Sequence, residues 1–160
     1  MTGRIIKSRE RARKHGEVFT PVWVVDRMLN ELVKEADNER PFAIGKTFLE
    51  PACGNGVFVG EIVRRKLACC ANAGQALLAL RDVYAVDILG DNVQQARCQA
   101  LGQFLWWLLD RGIADQATLR EARRVVERNI VQGDFLRPET FQVYDWARGT
   151  WAHLGGVDHD

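Results

Sequence analysis

The chain has 160 residues, 47% hydrophobic and 27% charged, with a formal net charge of +1. That length fits one domain with a real core, and the composition is that of an ordinary soluble globular protein with no low-complexity tract. No apolar run reaches the roughly 18–20 residues of a membrane helix and no secretory leader pattern is seen, so a cytoplasmic protein is expected.

Charge is unevenly spread. Residues 1–15 hold Arg4, Lys7, Arg9, Arg11, Arg13 and Lys14 against Glu10 alone. Such an arm can neutralise phosphates of DNA, or it can simply stand solvated at the terminus. Residues 16–160 read as a single domain. Thr20 has the chemistry of a helix cap, with Pro21 at the first helical position, where its missing N–H costs nothing. Val22, Val25, Met28, Leu29, Leu32, Val33 and Ala36 then recur on one helical face. Pro41 and Gly45 punctuate a loop.

Thr47, Phe48 and Leu49 predict a short buried strand. A helix follows from Val57 to about Cys70, with Phe58, Val59, Ile62, Val63 and Leu67 inward. Residues 82–88 (DVYAVDI) predict a second strand ending in Asp87. Gly90–Asn92 open another helix, with Val93, Ala96, Ala100, Leu101, Phe104, Leu105 and Leu108 on one stripe and Trp106 on the opposite face. A polar helix over about 115–128 leads to a third strand at 129–135 (NIVQGDF). Strand, helix, strand, helix, strand predicts an α/β, Rossmann-like parallel sheet with right-handed crossovers. Cys53, Cys69, Cys70 and Cys98 lack the paired spacing of a zinc site and read as reduced thiols, so no metal is expected.

In such sheets ligands bind beyond the carboxyl ends of the strands. Three features converge there. Glu50-Pro51-Ala52-Cys53-Gly54-Asn55-Gly56 follows the first strand, and its glycines allow a tight turn and close approach to a ligand. Asp87 ends the second strand, placed to accept from ribose hydroxyls. Asp134-Phe135 follows the third, an acceptor beside an aromatic face for a purine amine and ring. The dinucleotide fingerprint G-x-G-x-x-G is not met, since Val59 stands at its third glycine. Glu50 would repel a pyrophosphate and tolerate a cationic ligand.

The stretch FLEPACGNGVF resembles the S-adenosyl-L-methionine loop of adenine-N6 DNA methyltransferases of restriction–modification systems. GEVFTPVWVVDRM is similar to the segment that precedes this loop in that family, and VYAVDI and NIVQGDF to its later cofactor motifs. The resemblance spans about residues 15–136 and implies a class I methyltransferase fold. By it, Phe19, Thr20 and Pro21 would line the cofactor pocket, with Glu50 near the methionine amine. Pro51, Ala52, Gly54, Gly56 and Phe58 belong to the same loop motif. Asp87 would hold the ribose, Ile88 would pack on the adenine, and Asp134 and Phe135 would meet its amine and ring.

The family catalyses with an Asn/Asp-Pro-Pro-aromatic tetrad that holds the target amine of a flipped base. These 160 residues contain no such tetrad; Pro138 stands alone, and Asp145 with Trp146 or Trp151 is the nearest substitute. The resemblance therefore implies a sheet truncated after its third or fourth strand. Three arrangements stay open: an enzyme or subunit of one, a cofactor-binding module that transfers nothing, and a half whose catalytic residues lie on another polypeptide. The missing neighbour of the first strand leaves an edge for a second copy, a partner chain, or the C-terminal aromatic segment folded back.

Overall fold

The computed structural model describes residues 8–15, 18–36 and 39–153. Arg4 and Lys7 of the basic arm lie outside these residues. Arg9–His15 of the arm form a short helix, α1, and α2 spans Val22–Glu35. The sheet strands are β1 (Phe48–Glu50), β2 (Val83–Asp87) and β3 (Ile130–Gln132). Between β1 and β2 lie α3 (Val57–Ala68) and α4 (Ala73–Arg81); between β2 and β3 lie α5 (Gly90–Asp110) and α6 (Gln116–Asn129). After β3 come a single 3₁₀ turn (Pro138–Thr140) and the hairpin β4 (Val143–Asp145) and β5 (Thr150–Ala152).

The sheet order is β1-β2-β3, all parallel, with Glu50 opposite Ala85 and Asp87 opposite Gln132. This is the expected α/β layer structure. Strand periodicity divides its two faces. Phe48, Val83, Ala85 and Ile130 join the main core with Val59, Ile62, Val63, Leu67, Val93, Phe104 and Val125 of the helices. Val86 and Val131 point the other way, with Tyr84 beside them, and are covered by Phe141 and Val143. The C-terminal aromatic segment thus folds back, but onto the face of the sheet. Among the described residues β1 pairs only with β2, and Leu49 stays 41% exposed on that second face.

Several expectations need correction. Thr20 does not cap α2. Pro21 takes the cap position, its carbonyl accepting from the N–H groups of Val24 and Val25 at 2.9 and 3.2 Å, with no side-chain cap. Its ψ of 144° keeps Pro21 extended, which sets Thr20 one residue too far out. Only Val25 and Leu29 of the α2 stripe are buried, because α3 covers one line of that face and leaves Val22, Met28, Leu32 and Val33 exposed. On α5, Trp107 is buried and Leu105 exposed; Trp106 is exposed as read. The third strand is three residues long, since Gly133 turns out of it. Helix α4, capped by Asn72 accepting from the Gln75 N–H at 3.0 Å, had no counterpart in the sequence reading. Among the described residues no helix is long and apolar enough to cross a membrane.

Candidate functional site

β1 runs into a turn whose backbone is tied to the next strand: the Cys53 N–H donates to the Val86 carbonyl at 3.0 Å, and the Gly56 N–H to the Cys53 carbonyl at 2.8 Å. Both loop glycines are left-handed, Gly54 at φ 52° and Gly56 at φ 81°. Their environments differ. A Cβ on Gly54 would meet only the Phe19 ring, at 3.5 Å, whereas one on Gly56 would overlap the backbone of Ala96 on α5. Gly54 faces open space under Phe19; Gly56 lets α3 and α5 approach each other.

Asp87 organises the turn. It is 8% exposed and accepts from the Gly54 N–H at 2.8 Å, the Leu89 N–H at 2.9 Å and the Asn92 side-chain amide at 3.2 Å. The carboxylate therefore latches the glycine loop to the start of α5. Arg11 of α1 closes the same corner, its guanidinium reaching Asp91 at 2.8 and 3.0 Å and Asn92 Oδ1 at 3.4 Å. At the third strand end, the Gly133 N–H donates to the Asp87 carbonyl at 3.0 Å. A Cβ on Gly133 would collide with Phe141, so only glycine fits. Asp134 accepts from the Leu136 N–H at 3.0 Å and from Arg137 Nε at 2.9 Å, and the Arg137 hydrogen bond holds its carboxyl below the usual range.

These segments enclose a cleft of about 480 Å³ lined in part by Phe19, Pro51, Ala52, Gly54, Asp87 and Ile88. Asp134 and Phe135 complete the expected residues in it. The volume is that of a small-molecule site. Thr20, Pro21, Glu50, Gly56 and Phe58 do not line it: Phe58 packs against the core, and Gly56 serves helix packing. Glu50 ends β1 behind Pro51, where burial raises its carboxyl above the ordinary value. Burial, then the charges of Asp87 and Glu50, push the Cys53 thiol up to about 12, so at neutral pH it is no nucleophile.

The cleft also holds Val18, Leu89, Asn92, Gly133 and Leu136, which the sequence reading missed. Asn92 carried a signal: a polar residue on the inner line of the α5 stripe, in the first turn of the helix that follows the strand-end acid Asp87. Gly133, immediately before Asp134, carried another.

The hairpin aromatics lie at the opposite end of the sheet. Trp146 donates to Asn129 at 2.8 Å and lies under the Arg81 guanidinium at 4.4 Å, while Arg128 stacks on Tyr144 at 4.4 Å. Asp145 closes its own turn, accepting from the N–H groups of Ala147 and Arg148 at 2.9 and 3.0 Å. Asp145 with Trp146 or Trp151 therefore does not stand in for the absent tetrad beside the cleft. Set against known proteins, the chain matches no family model, no curated protein and no solved structure.

Proposed function

We propose that the cleft binds S-adenosyl-L-methionine and that the chain works in DNA adenine-N6 methylation, as a methyltransferase or a subunit of one. The observation that carries this reading is the convergence of three successive strand ends, with Phe19, on one cleft at the carboxyl edge of a parallel sheet. Ile88 and Phe135 are exposed there and offer apolar flanks to a flat purine. The Asp87 carboxylate has about four lone-pair sites, and the protein uses three. What is left suits one ribose hydroxyl. Asp134 accepts an adenine amine by giving up part of its pairing with Arg137.

The cofactor, when bound, supplies an electrophilic methyl on a sulfonium centre. The chain's part is to hold it, with the Gly54 backbone in close approach. Arg9, Arg13 and Lys14 are exposed on α1, available to DNA phosphates while Arg11 is held by Asp91.

A second reading has its own observation. With no Asn/Asp-Pro-Pro-aromatic tetrad in the chain and the hairpin aromatics at the far end of the sheet, the domain acts as a cofactor-binding module that regulates or completes a partner. Calorimetric titration with S-adenosyl-L-methionine tests what both readings share. Saturable binding is expected, weakened about tenfold by Phe135→Ala, with melting unchanged because that ring is exposed. Folded protein that takes up no ligand contradicts both. Labelled methyl transfer to adenine-containing DNA then separates them, appearing only under the first.

A further inference from the structure

The face of α5 turned away from the sheet has features that the folded chain does not use. Gln95, Cys98, Gly102, Leu105 and Leu109 recur at alternating spacings of three and four, the seam of a helix pair. All five are exposed, and Trp106 beside them is 62% exposed. Gly102 sits in mid-helix with nothing within 4 Å of the place a Cβ would take. A glycine there costs about 1 kcal/mol of helix stability relative to alanine, and no neighbour in the fold requires it.

Charge and size add to this. From Cys98 to Leu109 no residue is charged, whereas the exposed side of α6 carries Arg120, Arg123, Arg124 and Glu127. The seam is small in its N-terminal half, at Cys98 and Gly102, and bulky in its C-terminal half, at Leu105 and Leu109.

We propose that α5 pairs antiparallel with α5 of a second copy of this chain, about a two-fold axis between Gly102 and Leu105. That operator brings each bulky half onto the other copy's small half. Leu105 sits over the second copy's Gly102, and Leu109 over its Cys98. A parallel pair sets bulk on bulk and leaves the notch empty. Two neutral faces meet without like-charge repulsion, while a charged partner finds no countercharge. The twelve residues span ~18 Å of helix, so each copy buries a few hundred Å², the low end for a specific interface. The dimer is therefore weak and reversible.

Sedimentation across a concentration series tests it, with the wild type beside Gly102→Lys. The wild-type mass rises toward twice that of the monomer, and the variant stays monomeric at every concentration. Lysine is a better helix former than glycine and meets open space, so the melting temperature holds or rises and loss of fold is excluded as the cause. Oxidation of Leu109→Cys yields an interchain disulfide with Cys98, while wild-type Cys98 does not cross-link to itself. A wild type that stays monomeric, a dimer indifferent to Gly102→Lys, or a Cys98–Cys98 cross-link in the wild type overturns the proposal.

Discussion

The two ends of the parallel sheet are built on opposite plans. At the amino end, polar groups are locked into the fold. Lys66 is fully buried and donates to the Ala43 and Lys46 carbonyls at 2.9 and 2.7 Å while pairing with Asp82 at 3.0 Å. Asn129 donates to the Arg81 and Val83 carbonyls at 2.7 and 3.1 Å and accepts from Trp146. At the carboxyl end the same kinds of groups border an open cleft, and Asp87 and Asp134 bind mostly backbone N–H groups of the loops around it. One end spends its polar groups on stability and the other on the shape of a site. The difference follows from what the loops carry: strand-tip acids at one end, long cations and aromatics at the other.

The largest effect that tests this contrast is expected at the amino end. Lys66→Ala takes the cation from Asp82, which keeps the Gly45 N–H at 2.8 Å, and leaves two carbonyls without their donor; removing one member of a buried pair costs about 4 kcal/mol. Urea denaturation reads that loss, with cofactor affinity unaffected in the fraction that folds. Destabilisation below about 1 kcal/mol breaks the picture of a locked end.

The two loop glycines sharpen the contrast within a single turn. Gly56→Ala combines left-handed strain with overlap on Ala96, together about 3 kcal/mol. Gly54→Ala costs about 1 kcal/mol of strain, but its methyl enters the cleft and weakens ligand binding. Melting and titration of both variants check the split. Equal stability losses, or binding lost only at Gly56, contradict the roles assigned here.

The smallest effect concerns Glu50. Burial raises its carboxyl, so the folded state favours the protonated form and loses stability as pH climbs through that raised range. Glu50→Gln, uncharged throughout, is expected to be slightly more stable than wild type above the carboxylate range. Its advantage disappears as the pH falls below the ordinary glutamate value. A difference that grows on acidification contradicts burial as the cause.

Legibility in the sequence followed the strength of local signals. The alternation of β1, α3, β2, α5 and β3 could be read because each apolar run has a distinct period, and β1, β2, α5 and β3 also end in glycine, proline or an acid. Helix α4 was overlooked because its nine residues, AGQALLALR, have no strong polar stripe and follow Cys69-Cys70 without proline or glycine. Gly54, Asp87, Asp134 and Phe135 were legible as cleft residues because each stands at or next to a break in periodicity, whereas Phe19 and Ile88 came only through the family resemblance. Gly56 was legible as a special backbone position, but its closeness to Ala96 depends on how α3 and α5 pack, across forty residues of chain. The exposure of Val22, Met28, Leu32 and Val33 was illegible for the same reason: amphipathicity marks a face, and only tertiary packing decides how much of it is covered.

Amide chemical-shift mapping during titration of S-adenosyl-L-methionine into the isotope-labelled chain tests the central claim most directly. Shifts at Gly54, Leu89, Asn92, Gly133 and Phe135, with Tyr144, Trp146 and Trp151 unmoved, are the predicted result. A spectrum that does not change, or one whose changes lie in the hairpin, would contradict it.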